Sequence, residues 1–502
     1  MVPYKEFFVQ YGLLTTLIHS IGLKLFGNSI VSVGVITGFF YSANIFLSYL
    51  LWQKILNKWF SASCALIMLL IHPHIAYPWS NYIAYTFLLL ALLCLTSTHR
   101  RNSLFILAGL FWSLSTLTRQ TYIIFILPLA LYMLGNYFVM NTSEKRRYPT
   151  WISSFALSSA TVFAVFFSYL LHINSFEDWY LQSVKVVRSY NAAVGSSSTD
   201  NFMFIVNNLI RNLTGLSDPR LSFYSILFLF AGGLLIGIVV SIVKKTSWFQ
   251  YAGSPPGESK TRTTLLLYTL VVIVGFTQSM PVYETWRLQS SSSLGIGLLV
   301  FCLHQLWLTF FPTLSLNPLR LNRRKKFIAF SSVGLILILL LTAAQPWKKL
   351  SGMGGEGEGK RGRLKQLING TLNSVPGMSI FNGKLYDQET IDFYVGLKST
   401  IDQYTPKLDY IVNFTKNSNI FYLNNKIKRL QRAPFYVKNF DLAVFPGESQ
   451  LVNRMIAERR VIIVAESQDS IPDSYCVVFK KDAPYPAIVA VPRSVANQCK
   501  VA

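Results

Sequence analysis

The sequence predicts a polytopic α-helical membrane protein, with about ten transmembrane helices plus an interfacial helix and a C-terminal extracytoplasmic α/β domain. Three observations predict it. Apolar stretches of near-spanning length recur over the first two thirds of the chain, basic clusters follow every second stretch, and the composition changes abruptly after Ala344. Only 14% of the 502 residues are charged, against 52% hydrophobic and 15% aromatic. A soluble domain carries roughly a quarter charged residues.

A helix needs about 20 apolar residues to cross the hydrocarbon core. The stretches that approach this are 30–52, 62–75, 82–96, 104–117, 121–139, 151–172, 223–243, 264–280, 294–311 and 327–344. Basic residues then orient them. Lys54 and Lys58 follow the first, His99 to Arg101 the third, and Lys145 to Arg147 the fifth. Lys244, Lys245, Lys260 and Arg262 follow the seventh, and Arg320 with Arg323 to Lys326 the ninth. Loops rich in Lys and Arg stay cytoplasmic, so the intervening loops and everything after Ala344 face outward.

An even number of spans puts Met1 outside as well, without a signal peptide to carry it there. One solution makes residues 10–26 a further span, but these contain His19 and Lys24 and leave only Gly27 to Ser29 for the turn. They read better as an interfacial helix with Leu13, Leu14, Leu17, Ile18, Ile21 and Leu25 as its apolar stripe. The expectation is then that a helix precedes Met1. The organisation that follows is an outer loop and interfacial helix over 1–29, a transmembrane domain over 30–344, a linker over 345–362 and an extracytoplasmic domain over 363–502. Residues 351–362 are Gly-rich and charged, as a flexible linker is. Beyond them, helical patterns at 388–404 and 450–458 alternate with strand-like runs at 410–414, 420–423, 442–445, 461–464, 475–479 and 487–491, an α/β arrangement.

The formal net charge of +24 reports topology and contact with anionic lipid rather than nucleic acid, because the cations cluster between spans. Cys64, Cys94 and Cys302 fall within apolar spans and read as small core residues, while Cys476 and Cys499 in the tail are open to a disulfide on the outer side. The triplet Asn413-Phe414-Thr415 is expected by chance and carries no weight.

Ionisable groups near membrane depth are costly and mark function. Glu6, on the outer face, is either a solvated terminal charge or a carboxylate placed to deprotonate an acceptor hydroxyl. Glu284 and Arg287 share a short outer loop, where a guanidinium can bind a phosphate and a carboxylate can hold it, or the two can form an interfacial ion pair. Arg119 stands in a very short outer turn as a second phosphate contact or a snorkelling anchor. His72, His74, Trp79, Ser80 and Asn81 read as an aromatic, polar interfacial turn, with no further ligands to complete a metal site. Glu177 to Tyr180, Lys185, Arg188 and Tyr190 are either a sugar- or phosphate-lining surface or a solvated amphipathic helix.

The run Pro3-Tyr4-Lys5-Glu6-Phe7-Phe8, then Gln10-Tyr11-Gly12 and Leu25-Phe26-Gly27, is similar to the first outer loop of a known superfamily. With the order of spans, the long outer loop after residue 172 and Arg287 before a last span and outer tail, the chain resembles the GT-C superfamily. Within it, the likeness is to polyprenyl-phosphate-sugar-dependent transferases related to protein O-mannosyltransferases and aminoarabinose transferases. The resemblance implies inverting transfer of a sugar from a polyprenyl-phosphate carrier to an extracytoplasmic acceptor, which is a protein, lipid or glycan. It also implies a place in a bacterial plasma membrane and, in some members, a divalent metal. Carried over by position, Glu6, the candidate catalytic carboxylate of this chain, matches the second acid of the first loop, Gln10 and Tyr11 occupy the carrier-phosphate approach and Arg287 is the phosphate-binding candidate. The superfamily's leading acid would precede Met1. Two other classes compete: a transport or assembly protein of envelope-glycan export, which internal repeats would favour, and a polysaccharide polymerase or ligase, which essential arginines in a long outer loop would favour.

Overall fold

Residues 3, 4, 9, 12–71, 80–97, 101–140, 142–185, 203, 206–211, 219–243, 258–279, 285–310, 373–378, 381, 386–415, 417–424, 426–430, 448–496 and 499 are described in this computed structural model. The helices are α1 (Leu13–Phe26), α2 (Ile30–Trp52), α3 (Lys58–Ile71), α4 (Ser80–Leu95), α5 (Asn102–Thr118), α6 (Ile126–Val139), α7 (Thr142–His172) and α8 (Phe176–Tyr180). After them come α9 (Pro219–Val243), α10 (Glu258–Phe276), α11 (Thr285–Ser292) and α12 (Leu294–Phe310). A 3₁₀ turn, Gln120–Phe125, leads into α6. Nine of the apolar stretches read from the sequence therefore coincide with helices, and the tenth, 327–344, lies outside the described residues.

Among the described residues, four segments are long and apolar enough to cross a membrane: Ile30–Trp52, Gln120–Phe138, Thr142–His172 and Leu221–Val240. The remaining apolar helices are shorter. The chain divides into two compact units, one of Met1–Val35, Phe167–Gly195 and Glu356–Ala502, the other of Ile36–Phe166 and Ser196–Gly355.

The second unit is a helical bundle. Along its centre α4 is buried on nearly every face and packs along α5, while α10 packs against α6, α9, α11 and α12. The outward faces carry Leu66, Leu69, Ile106, Leu127, Leu131, Phe138, Leu157, Ile236 and Val239, all exposed. Water would penalise such a surface; lipid requires it. With the repeated apolar helices, this makes the chain a multi-pass membrane protein. Small residues bring backbones together inside the bundle. A Cβ on Gly109 of α5 would meet the Phe155 carbonyl of α7 at 2.3 Å, and one on Gly297 of α12 would meet Trp52 at 2.0 Å. Cys64 is buried and Cys94 and Cys302 half-buried, all three as free thiols.

In the first unit, α1 turns Leu17, Ile21, Leu25 and Phe26 outward and buries Leu13, Thr15 and Gly22, so half of the expected apolar stripe is exposed while Leu13 is buried and Leu14 and Ile18 are half-buried. The C-terminal part is an α/β domain. Its helices are α13 (Gln388–Tyr404) and α14 (Glu448–Ala457). Its strands are β1 (Tyr410–Phe414), β2 (Lys428–Arg429), β3 (Val461–Ala465), β4 (Tyr475–Lys481) and β5 (Ala487–Pro492), in the order β2-β1-β3-β5-β4. The pairs β1–β2 and β1–β3 are parallel, and β3–β5 and β4–β5 antiparallel. Every residue of β3 is buried because the sheet is covered on both faces. Ile462 and Val464 point toward a cluster with Ile391, Leu397 and Ile401 of α13. Val461, Ile463 and Ala465 alternate to the other side, with Val452 and Met455 of α14. Each such buried side chain contributes about 1.5–3 kcal/mol. The Asp387 carboxylate accepts from the Thr390 amide at 2.8 Å and starts α13. Cys476 and Cys499 form a disulfide with Cα atoms 5.4 Å apart.

One tail expectation changes. Residues 420–423, read as a strand, fall in a 3₁₀ turn, Ser418–Tyr422, into Leu423. Local side-chain bonds win there: Asn417 Oδ1 accepts from the Asn419 amide, and the Asn417 carbonyl accepts from Asn413 Nδ2. The same bonds occupy Asn413, which is fully buried. Residues 442–445 lie outside the described residues.

Candidate functional site

Two polar constellations are built from residues that the sequence places near the outer membrane face, one in each unit. In the first unit one side chain bonds the N-terminal segment at two described residues. Gln182, just after α8, is buried, donates from Nε2 to the Tyr4 carbonyl at 2.5 Å and accepts from the Val9 amide on Oε1 at 3.0 Å. One carboxamide thus satisfies two backbone groups on either side of Glu6, which itself lies outside the described residues, as do Gln10 and Tyr11. Tyr4 takes a left-handed backbone, φ 65°, unusual for a bulky side chain. Its ring is buried, and that burial raises the phenol pKa far above its ordinary value.

In the second unit the ends of α4, α5, α6, α10 and α11 converge. Arg119 follows α5 directly and is 7% exposed. Its Nη1 donates to the Ser80 hydroxyl at the start of α4, 3.2 Å away. Two residues on, Thr121 Oγ1 donates to Gln278 Oε1 at 2.5 Å, and Gln278 Nε2 returns a bond to the Thr121 carbonyl at 3.1 Å. The Tyr122 hydroxyl donates to the Ser290 carbonyl of α11 at 2.5 Å and lies 3.5 Å from the Asn81 carbonyl. Arg119 acts electrostatically on that same hydroxyl.

Arg287 lies on α11 and not in a loop. Residues 285–292 are helical, and Leu288 to Ser293 are all buried. The Arg287 side chain is half-buried, and its carbonyl accepts from Ser291 Oγ at 2.6 Å. Glu284, its expected partner, lies outside the described residues. The polar run Gln289–Ser293 is bound inward: Gln289 Nε2 donates to the Met68 carbonyl at 3.0 Å, and Ser293 Oγ to the Tyr85 hydroxyl at 2.9 Å. Arg119 and Arg287 are therefore brought onto elements that meet through Tyr122 and Ser290. The guanidinium of Arg119, buried beside hydroxyls, suits a phosphate oxyanion.

Sequence reasoning missed Gln182, Tyr122, Gln278 and the Gln289–Ser293 run. A signal was present for the last: five consecutive polar residues between apolar segments, which lipid does not tolerate unless they face protein. His72, His74 and Trp79 lie outside the described residues. Among the described residues no three His, Cys, Asp or Glu side chains gather as metal ligands.

Residues 11–172 match the family described as dolichyl-phosphate-mannose-protein mannosyltransferase. In fold, the chain is similar to ArnT from Cupriavidus metallidurans, solved bound to undecaprenyl phosphate: TM-score 0.50 at 11% identity, covering 97% of this chain and 89% of that one. It is also similar to the Archaeoglobus fulgidus oligosaccharyltransferase in complex with zinc and sulfate, with TM-score 0.50 at 11% identity over 92% of this chain. There it spans 60% of the other chain's length. No curated protein matches in sequence. In fold, and over residues 11–172 in sequence, the chain is thus similar to the GT-C glycosyltransferases, as the resemblance drawn from its first outer loop and span order implied.

Proposed function

We propose that the protein is a membrane glycosyltransferase that moves a sugar from a polyprenyl-phosphate carrier to an extracytoplasmic acceptor with inversion. The observation that carries this reading is the buried guanidinium of Arg119, bonded to Ser80 and set beside Tyr122 where helix ends converge. The match of residues 11–172 to a mannosyltransferase family supports it, as does the undecaprenyl phosphate bound by the ArnT of like fold. Ten spans and an outer tail complete the proposed topology. In support of it, the first unit gathers three of the segments that the basic loops assign to the outer side: the N-terminal segment, the start of the loop after α7 and the tail. The Cys476–Cys499 disulfide suits an oxidising compartment such as the outer side of a bacterial plasma membrane.

The chemistry follows from charge. An acceptor hydroxyl or amine attacks the anomeric carbon from the face opposite the phosphate. The new bond to carbon forms as the carbon–oxygen bond to phosphate breaks, and the bonding pair leaves on the phosphate. Glu6 takes the acceptor's proton. Gln10 and Tyr11 line the approach of the carrier phosphate. Arg119 and Arg287, the latter steadied by Glu284, stabilise the charge that develops on the departing phosphate. That stabilisation is usually the largest single contribution in such a reaction. The lipid chain stays in the bilayer, and the tail domain shapes the acceptor side.

Replacing Arg119 or Arg287 with Ala in membranes that contain the full chain tests the reading. Each substitution is expected to lower transfer by about 100-fold or more while the protein accumulates normally. Undiminished transfer in both would remove the arginines from the site.

A further inference from the structure

The convergence around Arg119 contains a demand that the protein does not meet. Asn81, the second residue of α4, is 1% exposed, and neither its Oδ1 nor its Nδ2 has a hydrogen-bond partner among the described residues. A buried donor or acceptor left unmade costs about 1–3 kcal/mol, so two on one side chain are a substantial penalty in the free protein. The polar groups around it are already engaged. Ser80, its chain neighbour, takes the bond from Arg119, and the Tyr122 hydroxyl is spent on Ser290. On α11, Gln289 commits Nε2 to Met68 and leaves a buried Oε1 with no partner among the described residues.

The two unmet groups on Asn81 narrow the chemistry. A phosphate only accepts, so it would satisfy Nδ2 and press negative charge on Oδ1. A guanidinium or ammonium only donates and would fail the other half. A hydroxyl both donates and accepts, and two neighbouring hydroxyls of a sugar ring present one of each at the spacing of a carboxamide. The ligand beside Arg119 must therefore change from acceptor-only to mixed character within the reach of adjacent residues. A sugar phosphate makes that change from its phosphate to its ring.

We propose that Asn81 reads the sugar of the lipid-linked donor, its carboxamide bridging two neighbouring ring hydroxyls while Arg119 holds the phosphate. This rests on the proposed function and goes one step past it. Asn81 becomes a specificity residue, and the free protein keeps its carboxamide unpaired because the substrate pairs it. Rejecting a ligand that lacks a needed hydroxyl is what an unpaired buried polar group does well.

The test uses the full chain in lipid nanodiscs with four probes: undecaprenyl phosphate, and the same carrier bearing mannose, glucose or aminoarabinose. Wild-type protein is expected to bind at least one sugar-bearing lipid more tightly than the bare carrier. Asn81→Leu should weaken that lipid by about 10- to 100-fold and leave the bare carrier unchanged. Its melting temperature should hold or rise, because the leucine fills the space without an unmet hydrogen bond. A fall in melting temperature together with loss of bare-carrier binding would make Asn81 structural and overturn the proposal. So would a leucine variant that keeps the wild-type sugar preference. If the leucine variant does not accumulate, Asn81→Ser decides by the same pair of binding measurements. Wild-type protein that binds no undecaprenyl phosphate would instead overturn the transferase reading, and this inference with it.

Discussion

Gly275 sets how closely α10 can approach α11, and so where Arg287 and the Gln289–Ser293 run sit. A Cβ at Gly275 would lie 2.2 Å from the Ser291 carbonyl oxygen, 2.7 Å from its carbon and 2.8 Å from Ser292 Oγ. The obstacle is mostly backbone and cannot rotate away. Restoring ordinary contact requires α11 to move by roughly 1 Å, a displacement that at a reacting centre costs on the order of 100-fold in rate. The overpacking itself should cost about 1–3 kcal/mol in stability. Gly275→Ala is therefore expected to fold with a lowered melting temperature and to lose most transfer activity. Gly135→Ala on α6 is the control, since nothing lies within 4 Å of its added methyl. Both variants would be purified in nanodiscs and compared for melting temperature and rate of sugar transfer. A Gly275→Ala protein that behaves like the Gly135→Ala control would refute the argument that this contact positions α11.

Other perturbations follow from the same structure. Gln182→Leu strips partners from the buried Tyr4 carbonyl and Val9 amide, a loss of about 2–4 kcal/mol in local stability, and hydrogen exchange at Val9 should accelerate; unchanged exchange would discount the clamp. Replacing Cys476 and Cys499 with Ser opens a loop with a sequence separation of 23 and should cost the tail about 3 kcal/mol, read from thermal unfolding; wild-type protein should show the same loss on reduction. Burial pushes the Tyr475 phenol up to about 12 from 10.0, while its hydroxyl donates to the Ile456 carbonyl at 3.0 Å. The folded tail keeps that proton where the unfolded chain has lost it, so stability holds below pH 10.0 and falls as pH rises toward about 12. Tyr475→Phe should flatten that decline, at a cost of about 1 kcal/mol for the lost bond; an unaltered slope in melting temperature between those pH values would point to another group.

Much of the architecture was legible because it rests on local rules. The helix read at 388–404 matches α13 at both ends, since Asp387 caps it and its apolar residues repeat at helical spacing. The strands read at 410–414, 461–464, 475–479 and 487–491 fall within β1, β3, β4 and β5, buried runs bounded by polar turns. The two-residue β2 escaped notice because its exposed Lys428 and Arg429 carry no strand pattern, and an edge strand needs none. The site was harder to see. Arg119 reads as an interfacial cation until Ser80, 39 positions away, is seen to bury and bond it. The Gln289–Ser293 run reads as loop, because its polarity is compensated by Met68 and Tyr85, more than 200 positions earlier. Hydropathy registers a polar residue but not the distant partner that makes its burial tolerable. Gln182 is of the same kind, a single amide whose role depends on backbone 173 and 178 positions away.

The most direct test of the central claim is a transfer reaction with a labelled donor. The full chain would be reconstituted in vesicles containing polyprenyl phosphate bearing a radiolabelled sugar, with an envelope fraction supplied as acceptor outside. The label is expected to leave the lipid-extractable phase and appear on the acceptor with inverted anomeric configuration, as free polyprenyl phosphate accumulates in step. Label that stays on the carrier with every sugar and acceptor fraction tried, in vesicles where the protein is folded, would contradict the claim.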